Sequence, residues 1–315
     1  MVPCVTVLMT AYNREVLIAE AIESFMRSDY PNKKLLICDD CSSDNTFAVA
    51  SAYSERYSDI HVIRNSVNSG FIFSINRLFS MVESDIVCIC DSDDEMTPDR
   101  LTHQVKRMKA FNADAIISEH SRIMSDGSLR QNPVRSPFPF FVKPNSKDVF
   151  MPSGSLMMGR KVLQRVKGYN EYFSDAFCAD IYLINTIASE FSLLYDPTHV
   201  YLYRLTPGSM TQQFSLYRLS KLQLVMDLIA DRRRTGTDLL ELGKFDELEA
   251  RRVWIEKDRK WRSGQYRTYA ARAIDENNFK KALSYMLKSW KNNPFDPRLC
   301  RTMYYFIKKR TGIVY

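Results

Sequence analysis

Apolar and polar positions alternate between two periods over the first 120 residues. Val5 to Met9 is an unbroken apolar run of strand length. Glu15 to Ser28 then places Val16, Leu17, Ala21, Ile22, Phe25 and Met26 at helical spacing. Leu35 to Cys38 is a second strand, and Ser43-Asp44-Asn45-Thr46 offers capping side chains to a helix through Tyr57. Ile60 to Ile63 is a third strand. Phe71 to Val82 is a third helix, with Ile72, Ile75, Leu78, Phe79 and Val82 on one face. Ile86 to Cys90 is a fourth strand, followed by a polar turn to Pro98, where proline sits at the favoured first position of the next helix. Ala115 to Ser118 closes the series.

Strand–helix alternation implies right-handed crossovers and a parallel sheet. The strands lack polar alternation, as expected when both faces are covered. The predicted fold class is α/β, Rossmann-like, with a mostly parallel sheet. Ligands of such sheets bind beyond the carboxyl ends of the strands, which directs attention to Thr10–Arg14, Asp39–Asp44, Asn65–Gly70 and Asp91–Glu95.

Downstream the character changes. Residues 120–152 carry five prolines and read as loops and short strands over one end of the sheet. A helix is expected near Ala179–Ala188 and a strand near Tyr201. From Leu216 the pattern is helical to the end, and Asn278 to Leu283 has the flavour of a tetratricopeptide helix pair. Two regions are expected, 1–215 and 216–315.

Composition sharpens that division. The 315-residue chain is 45% hydrophobic and 26% charged, which excludes a disordered or low-complexity protein. Residues 1–215 carry 21 Lys and Arg against 25 Asp and Glu, a net of −4, while residues 216–315 carry 23 against 12, a net of +11. The basic part has three readings: a solvated face, an amphipathic surface on an anionic bilayer, or a site of self-association or partner binding. No recognition-helix, ribonucleoprotein or zinc-finger pattern accompanies it, so nucleic acid is not an expected partner. With no leader pattern, no apolar run of spanning length and seven cysteines that read as reduced, a cytoplasmic location is expected.

The densest chemistry is Asp91-Ser92-Asp93-Asp94-Glu95. Alternating carboxylates at a strand end suit a hard divalent cation that completes its shell with phosphate oxygens and water; an acidic turn before a helix is the plainer reading. Asp39-Asp40 either caps a turn or accepts a hydrogen bond from a base or a sugar hydroxyl. Tyr12 either packs or stacks on a planar base. Cys38-Asp39-Asp40-Cys41 has a metal or redox spacing, but Cys88 and Cys90 lie inside a strand, and small buried residues is the plainer reading. Of four His, only His120, beside Glu119 at a strand end, suggests contact with an acceptor.

Four segments in this order, Thr10-Ala11-Tyr12-Asn13, Asp39-Asp40-Cys41-Ser42-Ser43-Asp44, Asn68-Ser69-Gly70 and Asp91-Ser92-Asp93-Asp94 with Pro98-Asp99-Arg100-Leu101, resemble the family 2 glycosyltransferases of the GT-A fold. The resemblance covers roughly residues 3–210. It implies an inverting transfer of a sugar, most simply from a UDP-sugar, to a saccharide or lipid-linked saccharide, as in bacterial cell-surface polysaccharide synthesis. It implies that Thr10 and Tyr12 line the nucleobase pocket, that Asp40 bonds the base and that Asn68 lies on the donor. Asp91 and Asp93 form the D-x-D motif for Mn²⁺ or Mg²⁺, with Asp93 on the metal and Asp91 near the ribose or metal.

Asp180 is the matching general base, after Gly168-Tyr169-Asn170-Glu171, although Ala179 stands where the family carries Glu. Thr206 stands where many members carry a His near the metal, Arg204 either faces a phosphate or is a surface or packing arginine, and Gly208-Ser209 suits a mobile lid. A peripheral contact of the basic helices with the inner membrane would suit a lipid-linked acceptor, and a homo-oligomer is open. A catalytically silent binding protein on this fold and a metal-dependent nucleotidyltransferase are the alternatives.

Overall fold

In a computed structural model of the chain, residues 2–144, 151–176, 178–205 and 214–311 are described. The chain divides into two compact units, Met1–Ser209 and Met210–Tyr315.

The first unit is built on β1 (Val5–Ala11), β2 (Lys33–Asp39), β3 (Ile60–Arg64), β4 (Ile86–Ile89), β5 (Glu95–Met96), β6 (Ala115–Ile123), β7 (Leu129–Gln131), β8 (Phe140–Phe141), β9 (Met157–Gly159) and β10 (Leu193–Arg204). The order across the sheet is β3-β2-β1-β4-β9-β6-β10-β5, with β7 on β6 and β8 on β10. β3, β2, β1 and β4 run parallel, and so do β6 and β10. Val5, Val7, Leu8 and Met9 are each 0% exposed. Neighbouring strand residues point to opposite faces, so both faces of β1 are covered. The helices are α1 (Ile18–Met26), α2 (Thr46–Arg56), α3 (Phe71–Ser80), α4 (Arg100–Phe111), α5 (Arg160–Val166) and α6 (Ala179–Glu190).

The sheet departs from the expected parallel series in two places. β9 is antiparallel to both β4 and β6 and lies between them. The two-residue β5 pairs antiparallel with β10 inside what reads as a polar turn. Two or three residues are too few to show a period, so sequence pattern carries no trace of either. β6 also runs on to Ile123, beyond the apolar stretch, because β7 and β10 cover its polar half. Pro98 is not in the first helical position: Asp99 is the N-cap of α4, and Pro98 carbonyl instead accepts from the Asp29 amide at 2.9 Å.

The second unit contains α7 (Leu216–Thr235), α8 (Phe245–Lys257), α9 (Arg259–Asp275), α10 (Phe279–Asn292) and α11 (Pro297–Thr311). Its core joins Tyr266, Ala270 and Ile274 of α9 to Ala282, Tyr285 and Met286 of α10 and to Leu299 and Phe306 of α11. Asn278 caps α10 by accepting from the Lys281 amide. Ser263 and Ser289, both fully buried, bond hydroxyl to hydroxyl at 3.0 Å where α9 and α10 approach closely. No helix among the described residues is long and apolar enough to cross a membrane.

Candidate active site

The loops after β1 and β2 are laced together by side chains. Ser42 Oγ accepts from the Asn13 amide (3.0 Å), Thr46 Oγ1 from the Arg14 amide (2.7 Å), and Asn13 Oδ1 from the Ser43 amide (2.9 Å). Asn13 and Cys41 take left-handed backbone conformations, with φ of 53° and 60°, to make these turns. Thr10 ends up on the rim of β1, and the Tyr12 ring is 44% exposed beyond it, available to stack.

Asp40 behaves differently from the expectation of a base-bonding carboxylate. It is buried, and both oxygens are engaged by its own protein: Oδ1 accepts from Asn65 Nδ2 (2.7 Å) and the Ser69 amide (2.9 Å), and Oδ2 from the Gly70 amide (2.7 Å). In this structure Asp40 shapes the Asn65–Gly70 loop that carries Asn68. Asn68 is exposed, with its Oδ1 accepting from the Gly70 amide at 3.2 Å. Cys38 is buried, Cys41 turns toward Ser66 O, and all seven cysteines are free thiols.

The acidic run after β4 is split by its backbone into two sets. Asp91 and Asp93 are partly accessible, whereas Ser92 and Asp94 are buried. Asp94 accepts from Tyr201 Oη (2.5 Å) and from the Arg204 amide (2.7 Å), so it fixes β10. Glu95 holds Arg27 and Arg204. Tyr201 is fully buried, and its hydroxyl also lies 3.4 Å from Asp91 Oδ2. Space for that ring exists because residue 154 is glycine: a Cβ there would lie 2.1 Å from Tyr201 Oη. Beneath it, Arg100 is fully buried, with its guanidinium over the Tyr201 ring and Nη2 donating to Ile89 O and Gly154 O.

Asp180 arrives from the first turn of α6, where carboxylates are favoured by the helix dipole. Ser153, in a short 3-10 turn (Ser153–Ser155) before β9, donates to it from backbone and side chain. Burial nevertheless pushes the Asp180 carboxyl up to about 6. Burial, then the negative charges of Asp93 and Asp180, pushes Asp91 up to about 7. Tyr203 is raised to about 12 by burial and by Asp94, Asp91, Asp93 and Asp180. Asp93 and Asp180 both act on Asp91, and all three act on Tyr203, so the three carboxylates face one acidic region.

Two cations lie near that region. Arg204, read either at a phosphate or as a surface or packing arginine, is compensated by Glu20 (2.6 Å) and Glu95 (3.0 Å), and its Nε donates to Asp93 O. Arg14 Nε, by contrast, lies 3.4 Å from Asp93 Oδ2. Tyr201, Ser153 and Arg14 carry no motif of their own, and only the placement of their strands and turns reveals them. Thr206, Gly208 and Ser209 lie outside the described residues.

The Gly168–Glu171 stretch is pinned to α3, since Asn76 Oδ1 accepts from the Tyr169 amide and Asn76 Nδ2 donates to Tyr169 O, both at 2.8 Å. Gly168 is required there: its φ is +109°, and a Cβ would lie 2.4 Å from Asn76 Oδ1. His120 bonds Asn132, lies 3.8 Å from Glu119 Oε2 and packs edge-on against Tyr203, and burial lowers its pKa to about 4.

Among the described residues, no group of three or more His, Cys, Asp and Glu side chains is arranged to hold a metal ion. A pair of accessible carboxylates fits a different kind of site, in which Mg²⁺ or Mn²⁺ takes one or two protein oxygens and completes its shell from substrate phosphates and water. The raised Asp91, crowded by like charges, is chemistry that a divalent cation relieves.

The family model for glycosyl transferase family 2 matches residues 6–178, more than half of the chain. The chain is 31% identical over 170 residues to EpsE of Bacillus subtilis, covering 53% of this chain and 60% of that one. It is 32% identical over 125 residues to the UDP-Glc:alpha-D-GlcNAc-diphosphoundecaprenol beta-1,3-glucosyltransferase WfgD of Escherichia coli, covering 40% and 48%. The chain thus spans about half the length of these curated relatives. Residues 1–349 of S. aureus TarS in complex with UDP-GlcNAc superpose with a TM-score of 0.65 at 17% identity, over 99% of this chain and 93% of that one. The mannosyltransferase PcManGT from Pyrobaculum calidifontis, with GDP-Man and Mn²⁺, gives 0.59 at 18%, over 99% and 87%. At such identities the likeness is one of fold.

Proposed function

Because the chain belongs to glycosyl transferase family 2, we propose that its first unit transfers a sugar from a nucleotide-diphosphate sugar, most simply a UDP-sugar, to a hydroxyl of a saccharide or lipid-linked saccharide in bacterial cell-surface polysaccharide synthesis. The observation that carries this reading is the gathering of Asp91, Asp93 and Asp180 on one acidic region at the rim of the sheet. The donors named with the structural neighbours, and the lipid diphosphate named with one curated relative, support the substrate classes.

Asp91 and Asp93 are the residues that would hold Mn²⁺ or Mg²⁺. When bound, such an ion supplies positive charge against the diphosphate that leaves. Thr10 and Tyr12 border the base, with Tyr12 free to stack on it, and Asn68 is presented by the loop that Asp40 ties down. Asp180 takes the acceptor's hydroxyl proton on its carboxylate. The acceptor oxygen forms its bond to the anomeric carbon as the bond to the diphosphate oxygen breaks, with inversion. Ser153 holds Asp180 in position, and the Tyr201 hydroxyl oxygen accepts from the Asp91 amide, fixing the backbone that carries Asp91. Binding both substrates in one cleft supplies much of the remaining advantage.

For the basic helical unit the proposed role is contact with the cytoplasmic face of the membrane, beside a lipid-linked acceptor. The decisive experiment is a thermal-shift and transfer panel of UDP- and GDP-sugars with Mn²⁺, Mg²⁺ or chelator. A ligand bound only by the folded chain raises its stability. Metal-dependent stabilisation by a nucleotide sugar is expected; no shift with any donor would overturn the reading.

A further inference from the structure

Helix α10 presents an unusual outer surface. Its buried side is Ala282, Tyr285, Met286 and Ser289. On the outer side, Leu283, Leu287 and Trp290 follow one another at offsets of four and three, forming one stripe. They are 47%, 53% and 55% exposed. Large apolar side chains aligned this way on open surface mark a contact site rather than chance. At 100° per residue, Lys280 and Lys291 flank the stripe directly, with Lys288 and Lys281 further round.

Charge selects the occupant. Residues 279–311, which hold α10 and α11, contain nine Lys and Arg and a single acid, Asp296. Asp296 is buried and accepts from Arg298. Glu276, just before α10, is paired with Arg272 at 3.1 Å. An apolar row to enter acyl chains, a tryptophan suited to the headgroup level, and flanking lysines for lipid phosphates occur together on one helix.

We propose that α10 docks this chain on an anionic lipid bilayer, with Leu283, Leu287 and Trp290 entering the interface and the flanking Lys280 and Lys291 receiving lipid phosphates. This extends the membrane contact proposed for the helical unit and does not require the transfer chemistry of the first unit.

The test is flotation of the full chain with vesicles of 30% phosphatidylglycerol in phosphatidylcholine, and with vesicles of phosphatidylcholine alone. Flotation with the anionic vesicles only, weakened by salt, is expected. Leu283→Ser/Leu287→Ser/Trp290→Ser and, separately, Lys280→Glu/Lys291→Glu should each weaken it more than about tenfold, with the melting temperature unchanged because the replaced side chains are exposed. Inorganic phosphate at millimolar concentration should not release the chain, since a free-anion site would be emptied by it and a bilayer contact is not. No flotation at low salt, binding unchanged in both variants, or loss of an ultracentrifuge dimer in the apolar variant without vesicle binding would each overturn the proposal. Nucleotide-sugar binding, measured without vesicles, reports on the first unit separately.

Discussion

Arg14 Nε lies 3.4 Å from Asp93 Oδ2, so the second carboxylate of the D-x-D motif already carries a cation of its own. The pair is partly open, with side chains 37% and 19% exposed, and such pairs contribute about 1 kcal/mol or less. A divalent ion must displace or share this contact. Arg14→Ala is therefore expected to tighten Mn²⁺ binding in the absence of nucleotide by up to about fivefold. Calorimetric titration checks it; weaker Mn²⁺ binding by the variant would show that Arg14 helps to build the site.

Asp180 as the proton acceptor predicts a pH profile. Its carboxyl titrates near 6, and only the ionised form accepts a proton. Transfer should fall about tenfold per pH unit below that value and level off above it. Asp180→Asn should lose at least about a hundredfold in rate, yet bind donor as tightly as the parent. If the variant loses donor binding while its fold stays intact, Asp180 belongs to the donor pocket instead.

The same raised values bear on stability. Asp91 and Asp180 hold protons more firmly when folded than the usual 3.8 of an unfolded chain. The stability they give is fully present below about pH 4 and is lost as pH rises through 6 and 7. Asp91→Asn should accordingly melt higher than the parent at pH 8 and match it at pH 4. Mn²⁺ should raise the melting temperature of the parent at pH 8 and leave Asp93→Ala unchanged. Equal melting of parent and Asp91→Asn at both pH values would mean that the carboxylates are better solvated than the structure indicates.

Gly154 and Tyr201 form a packing pair under the site. A methyl at 154 would sit 2.1 Å from the Tyr201 hydroxyl, with backbone on one side and a fully buried ring on the other. Gly154→Ala should cost about 3 kcal/mol or more. Tyr201→Phe, which keeps the ring and deletes the bond to Asp94, should cost about 1–3 kcal/mol and weaken donor binding through Asp91. Chemical denaturation measures both.

β1 to β4 were legible because each carries a run of apolar residues, and because α1 and α3, after β1 and β3, each bury one apolar face. Asp91 and Asp93 were legible because their alternation survives as alternating exposure. What escaped reading was made by contacts distant in sequence. Asp94 looks like its neighbours in the acidic run, but its partners lie at Tyr201 and Arg204. Asp40 looks available, yet three donors between Asn65 and Gly70 fill it. Arg204 reads equally as a phosphate contact or a packing arginine, and its pairing with Glu20 of α1 is invisible in the sequence.

β9 has an architectural consequence. Its three residues pair with β4, the last of the first four parallel strands, on one side and with β6 on the other. The turn before it delivers Ser153 to Asp180. β1 pairs with β2 and β2 with β3, strands close by in the sequence, whereas this seam joins segments that are far apart in it. Alterations along that seam would therefore shift Ser153, and the Asp180 carboxylate with it, while leaving the pairing of β1, β2 and β3 in place.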